Sequence, residues 1–372
     1  MSDDIHTACA RIGHGAHLNA VYPMSVPIVQ TSAFGADDLE ALISSPFQYT
    51  RVSNPTTAAW EQEVAALEGA ELANGFASGM GAIAAVLLGE LQAGDHIVAF
   101  EQVYGVTYAL ITQTLERFGI TATFVDMLDL DAVRAAIQPA TKLLYTETMS
   151  NPTLLMPQLD ALARVAHERG CKLVVDNTFA TPFLARPIAS GADIVVHSAT
   201  KFLNGHSDVS AGIVLGSAET IRRIQRTAWL LGSTLDPMAS WLLLRGLKTL
   251  AIRMERQCAT AARVADRLRK VASRVYYPGQ GAIVSFEVSI RGDETRLAAA
   301  KRTIKALTHI PVVPSLGGCS TTITHPASTS HRAMPLEMRD RLGVGDGLLR
   351  LSIGLEDAET LCVELESGLC AS

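Results

Sequence analysis

The feature that most constrains this chain is an alternation, across residues 96–215, of short apolar runs with stretches of helical periodicity. The runs are His96–Phe100, Thr121–Val125, Lys142–Tyr145, Lys172–Val175, Asp193–Val196 and Gly212–Leu215. Helical spacing fills most of the gaps, as in Val106–Phe118 and Gln158–Arg169. Near-continuous apolar runs are strands buried on both faces, and parallel neighbours need a crossover, usually a helix. The pattern predicts an α/β fold with a mainly parallel central sheet.

The flanks read differently. The first 48 residues have weak periodicity and many Gly, Pro and Ser, and are predicted to be an arm laid over something else. Order begins at Asn54-Pro55-Thr56, where Asn54 can cap a helix and Pro55 suits its first turn. Trp60, Val64 and Leu67 then follow on one helical face. Past Leu235-Asp236-Pro237 the alternation stops. A long helical stretch, Met238 to about Val271, leads to strand-like Ile283–Ile290, a Lys/Arg-rich helix and a last strand at Leu348–Ile353. At 372 residues, two or three packed units are expected. The division is an arm over 1–48, a large domain over 49–236, and a smaller C-terminal α+β domain over 237–372.

Charge and composition narrow the partners. Net charge is −6 with no basic block, which argues against nucleic acid or an anionic membrane. The longest apolar run, Gly81–Gly89, is too short to span a bilayer. Asp3, Asp4 and His6 follow Met1 where a secretory signal would be basic and then apolar, so none is expected. The six cysteines lack metal-ligand spacing and read as reduced cytosolic thiols, and no metal site is expected.

Open α/β sheets bind ligands beyond the carboxyl ends of their strands. Two charged residues sit there. Val174-Val175 runs into Asp176, and Ile194-Val195-Val196 runs into His197-Ser198-Ala199-Thr200-Lys201. Alone, such an aspartate is more often a helix cap or a metal ligand, and such a lysine is a weak signal. Together they fit pyridoxal 5'-phosphate (PLP). That cofactor needs an amine to form an imine and a carboxylate to keep its ring nitrogen protonated. Gly75–Gly81 is a small-residue turn ahead of the helix Ala82–Leu91. Its amides suit a phosphate, although tight helix packing explains the glycines equally well. Ser198 and Thr200 could add hydroxyls to the same phosphate. Tyr104 lies just past the His96–Phe100 strand, where it could stack on a ring or simply join the core.

Six segments in order carry a resemblance over about residues 25–361. The strongest is His197-Ser198-Ala199-Thr200-Lys201-Phe202-Leu203-Asn204-Gly205-His206-Ser207-Asp208. The others are Tyr49-x-Arg51 with Ser53–Thr56, Ser78-Gly79-Met80, Glu147–Thr153, Asp176-Asn177-Thr178 and Leu349–Asp357. With these the chain resembles the trans-sulfuration (cystathionine/methionine metabolism) family of PLP enzymes. The resemblance implies an aspartate-aminotransferase-like (fold type I) architecture and PLP as cofactor. It implies Lys201 as the imine-forming lysine and proton shuttle, and Asp176 as the partner of the ring nitrogen. Ser78, Gly79, Met80, Ser198 and Thr200 would hold the phosphate. Tyr104 would stack on the ring and help with the amine or the leaving group. Tyr49 and Arg51 would reach the neighbouring subunit's phosphate, implying a homodimer or a tetramer of dimers with shared sites. Asn151, Ser315 and Arg350 would seat the substrate carboxylate, a task suited to a bidentate guanidinium.

Departures from the family pattern bear on the reaction. Members that handle cystathionine often carry a glutamate at the position of Pro314, and many carry another at Ser320. Methionine γ-lyases commonly place a cysteine where this chain has Val106. The leading expectation is a cytosolic carbon–sulfur lyase that acts by γ- or β-elimination on methionine, homocysteine, cystathionine or cysteine. Replacement on an O-acylated homoserine is the alternative. A non-catalytic PLP-fold binding protein is a lesser one.

Overall fold

The computed structural model describes residues 4–13 and 23–370. The expected arm therefore falls partly outside the described residues. Within them, Ile5–Arg11 is a helix that buries Cys9, which weak periodicity did not reveal. Asn54 caps the helix Pro55–Glu68 through an acceptor bond from the Thr56 amide, 2.9 Å. Gly69, at φ 76°, closes that helix in the left-handed region that favours glycine. Trp60, Val64 and Leu67 are its buried face.

A seven-stranded sheet forms the larger layer. Its strands are β1 (Leu72–Phe76), β2 (His96–Phe100), β3 (Thr121–Val125), β4 (Thr141–Glu147), β5 (Lys172–Asp176), β6 (Ile194–His197) and β7 (Gly212–Gly216). The spatial order is β1-β7-β6-β5-β4-β2-β3. Strands β6, β5, β4, β2 and β3 pair in parallel, and β7 lies antiparallel to both of its neighbours. The apolar runs of β2 and β6 are wholly buried, and each Val or Ile there contributes roughly 1.5–3 kcal/mol relative to exposure. Antiparallel β7 needs no crossover helix after β6, so the connecting loop 198–211 stays free to build the site.

Three sequence expectations shift. Gly75 and Phe76 belong to β1 and not to the turn, because Asn74 and Gly75 break the apolar run that would have marked a strand. The stretch Val106–Phe118 is not one α-helix. It passes from α (Gly105–Ala109) through a π turn (Leu110–Thr114) to a 3₁₀ turn (Leu115–Phe118). Within it the Thr112 hydroxyl donates back to the Tyr108 carbonyl, 2.9 Å. The long stretch from Met238 is two helices, Pro237–Leu247 and Leu250–Leu268. At the break, the Thr249 hydroxyl donates to the Gly246 carbonyl (3.1 Å) and accepts from Arg253 Nε (3.0 Å).

The second layer is a four-stranded antiparallel sheet of β8 (Arg274–Tyr276), β9 (Ile283–Glu287), β10 (Thr322–Thr324) and β11 (Leu348–Ser352), in the order β10-β11-β9-β8. Helix Leu250–Leu268 serves both cores. Leu250, Ala251 and Met254 join the large cluster, while Val264, Ala265 and Leu268 join the one under the small sheet. Among the described residues, no helix is long and apolar enough to cross a membrane.

Candidate active site

Strands β4, β5 and β6 end side by side, and Glu147, Asp176 and, just past β6, Ser198 line a cavity of about 530 Å³. Register pairs Glu147 with Asp176, which sets two buried carboxyls at adjacent strand ends. Asp176 Oδ1 accepts from the Thr178 amide (3.0 Å) and hydroxyl (2.5 Å). Burial raises its pKa, and those two bonds and the neighbouring His197 oppose the rise. Glu147 is pushed well above the carboxylate range by burial and by Asp176, and accepts from the Tyr104 amide at 2.6 Å. Behind them His197 Nε2 meets Glu68 Oε1 at 2.7 Å, and Asn177 donates to the same oxygen at 2.8 Å. These pairs fix the strand ends below the cavity floor.

Loop 198–211 carries Lys201 into the same space. Its Nζ donates to Ser315 Oγ, 2.8 Å. Burial, with Arg350 nearby, pulls the ammonium down to about 8. An amine so poised is neutral far more often at neutral pH than an ordinary lysine. Gly317, at φ 80°, lets the Ser315–Gly318 turn lie on the Lys201 loop. A Cβ there would stand 2.6 Å from the Phe202 nitrogen. Buried Arg253 donates to the Phe202 carbonyl (2.9 Å) and the Gly246 carbonyl (3.0 Å), tying the loop to the helical layer.

Ser78 caps the helix Gly79–Glu90 by accepting from the Gly81 amide, 3.0 Å. Gly79 sits against Ser198, and a Cβ there would lie 2.7 Å from Ser198 Cβ and 3.0 Å from its Cα. A helix N-terminus, a glycine with no room for a side chain, and the hydroxyls of Ser198, Thr200 and Ser210 thus line one corner. That corner could hold a phosphate, by geometry and by dipole. Tyr104 also lines the cavity, and burial lifts its phenol above 10 against the pull of Arg350.

Arg350 comes from β11 in the small sheet and is buried. It donates to Asn151 Oδ1 (2.7 Å) and to the Ser315 carbonyl (3.3 Å), while its buried Nε has no partner. Leaving such a donor unpaired costs about 1–3 kcal/mol. Arg350 and Asn151 both line the cavity, where the guanidinium could take a carboxylate.

The structure brings together Ser78, Gly79, Met80, Tyr104, Asn151, Asp176, Ser198, Thr200, Lys201, Ser315 and Arg350. It does not bring Tyr49 and Arg51 to this chain's own cavity. Tyr49 is half-exposed, and Arg51 donates to the Trp229 carbonyl at 3.0 Å. Pro314 and Val106 do line the cavity, but Ser320 is exposed and outside it. The turn goes inward at Leu316–Gly318 and leaves at Cys319, whose Sγ donates to the Gly205 carbonyl. The sequence reading gave no role to Thr178, which braces Asp176 and accepts from the Ser198 amide, 2.8 Å. Its place two residues after Asp176 was the available signal. Segment 328–332 was missed altogether, since nothing local marks it as part of a site.

An amine drawn toward neutrality, a carboxyl in the same cavity and a helix N-terminus open to a phosphate fit PLP in three separate respects. The comparisons agree. An L-methionine gamma-lyase of Fusobacterium nucleatum subsp. polymorphum is 42% identical over 96% of each chain. A cystathionine beta-lyase of Bacillus subtilis (strain 168) is 40% identical over 93% of this chain and 91% of its own. Among solved structures, a cystathionine gamma-lyase from Lactobacillus plantarum complexed with L-serine superposes with a TM-score of 0.93, at 36% identity and 99% coverage of both chains. A cystathionine gamma synthase from Xanthomonas oryzae pv. oryzae does so with a TM-score of 0.93 at 35% identity, over 99% of this chain and 98% of that one. Residues 7–370 match the family described as Cys/Met metabolism PLP-dependent enzyme, and the chain belongs to that family.

Proposed function

We propose that the chain is a PLP-dependent carbon–sulfur lyase that removes a thiol from the β or γ carbon of a sulfur amino acid. The observation that carries this reading is the Arg350 guanidinium lining the same cavity as Lys201 and Asp176. One group receives an α-carboxylate and the other two serve cofactor chemistry. The two sequence relatives at 42% and 40% identity are both named as lyases, which supports elimination ahead of replacement, while the lyase and synthase structures stand level at 36% and 35%.

PLP, when bound, supplies an electron sink for the carbanion formed at the substrate Cα. The protein's own residues do the rest. Asp176 holds the proton on the ring nitrogen. Arg350 and Asn151 take the substrate carboxylate and so turn the Cα proton toward Lys201. Lys201 Nζ, with its pKa near 8, takes that proton and can return it one carbon further along. The Tyr104 phenol stays protonated at neutral pH and can give its proton to the departing sulfur.

Tyr49 and Arg51 are proposed to complete the partner's site in a homodimer or tetramer, which accounts for their position away from their own cavity. Exposed Met24, Ile28, Leu39 and Ile43 on the described part of the arm support that packing. The cytosol is the proposed location, because all six cysteines are free. A panel of methionine, homocysteine, cystathionine, cysteine and O-acylhomoserines on the purified holoenzyme tests the reaction. Release of 2-oxo acid and thiol from a sulfur amino acid supports elimination. Thioether formation from an acylhomoserine and a thiol, with no 2-oxo acid, overturns it.

A further inference from the structure

The cavity lining holds three cationic side chains, Lys201, Arg350 and Arg332. Lys201 and Arg350 already have tasks. Arg332 has none, and its guanidinium makes no hydrogen bond or ion pair with any described residue. The acids in the lining are Glu147 and Asp176, and both are engaged at the ends of β4 and β5. Pro314 and Val106 add apolar surface to the same lining and no counter-ion.

The base of Arg332 is held in place. The His331 amide donates to the Pro326 carbonyl (3.0 Å), the Arg332 amide to the Thr329 carbonyl (3.3 Å), and the Met334 amide to the His331 carbonyl (3.0 Å). His331 is buried. The Ser330 carbonyl packs so closely on Gly105 that a Cβ at Gly105 would collide with it. Gly105 directly follows Tyr104, so the loop is keyed to the part of the site where a leaving group departs. The result is a held backbone that presents an exposed, unpartnered guanidinium to the cavity beside the hydroxyl-bearing residues Ser328, Thr329 and Ser330.

We propose that Arg332 is a specificity-determining residue that reads a carboxylate at the far end of the substrate's side chain. Preferred substrates are then α-amino acids whose γ-substituent is anionic. This rests on the reading of the chain as a carbon–sulfur lyase acting at Cγ, for which homoserine esters serve as probes that carry or lack the distal charge. Cystathionine carries such a carboxylate, but its distal ammonium would find no acid in the lining beyond the engaged Glu147 and Asp176. Homoserine esterified with a dicarboxylic acid carries the charge alone.

The test compares kcat/KM of the holoenzyme for O-succinyl-L-homoserine, O-acetyl-L-homoserine, cystathionine and methionine, in the native protein and in Arg332→Gln and Arg332→Lys. A charge-assisted contact predicts a preference of about ten- to a hundredfold for the succinyl over the acetyl ester. Arg332→Gln should abolish that preference while acetyl ester and methionine turnover stay within about twofold. Lysine should restore part of it. A native cystathionine rate close to that of the succinyl ester would mean that the distal ammonium is tolerated and carboxylate recognition still dominates. An unchanged succinyl-to-acetyl ratio in Arg332→Gln, or an equal loss for both esters, overturns the proposal. Equilibrium binding of L-2-aminopimelate against its ω-amide gives a second reading that needs no turnover. If none of the four substrates reacts, and homocysteine and cysteine do not either, the lyase reading fails. The proposal still stands if the native protein favours the acid and the glutamine variant does not, and falls if the two ligands bind alike.

Discussion

At the scale of single residues, the account rests on Lys201 and Asp176. Lys201→Ala should abolish turnover and the visible absorbance of the bound cofactor, and near-normal activity in that variant would sink the assignment. Asp176→Asn should slow turnover by at least about a hundredfold, or ~2.7 kcal/mol of barrier. The amide keeps its acceptor for Thr178 but cannot hold the ring nitrogen protonated. Its stability should not suffer. The folded-state pKa of Asp176 is raised, so the charged carboxylate costs stability above that pKa, and asparagine removes the cost. Thermal melting of the apoprotein beside the rate separates the two effects, and an unchanged rate would make the carboxyl structural. Lys201 sets a pH signature as well. Its ammonium must lose a proton before it attacks an aldehyde, and its pKa is about 8. Cofactor loading of the apoenzyme should therefore quicken as pH rises toward 8 and level off above it. Stopped-flow loading rates that are flat from acid to alkaline pH would contradict this. These residues were legible because strand-end position and ordered motifs both pointed to them. Arg332 was not, because only folding brings its loop onto Gly105.

At the scale of elements, the strands that form the site were legible and the marginal ones were not. β2, β4, β5 and β6 are apolar runs buried in the sheet, so composition alone betrays them. β1 is interrupted by Asn74 and Gly75, and β8 and β10 have three residues each, too few for any periodicity. The antiparallel direction of β7 was hidden, since buried strands of either direction carry the same apolar run. Helix Gly79–Glu90 gives a test at this level. Gly79→Ala must push the helix start off Ser198, because its Cβ has 2.7 Å where contact needs more. Overpacking of this kind costs about 1–3 kcal/mol, and PLP affinity should fall roughly ten- to a hundredfold. Apoenzyme titration checks it. A dissociation constant that does not move would mean that the phosphate sits elsewhere.

At the scale of the whole molecule, each cavity draws on both sheets, since Asp176 and Lys201 follow strands of the larger one and Arg350 lies on β11 of the smaller. Tyr49 and Arg51 remain away from their own chain's cavity, and the proposed assembly would bring them to a neighbour's. Mixing an inactive Arg51→Ala protein with an inactive Lys201→Ala protein should then restore activity, because some sites in mixed dimers lack neither residue. With subunit exchange verified, no recovery would count against shared sites. The resemblance suggested this arrangement, and a single chain does not contain the contacts that would display it. Borohydride reduction of the native holoenzyme, followed by peptide mass mapping, reads most directly whether this is a PLP enzyme built around Lys201. A stable pyridoxyl adduct on Lys201 alone is the predicted result, and an adduct on another lysine, or none on a protein that turns over substrate, would contradict it.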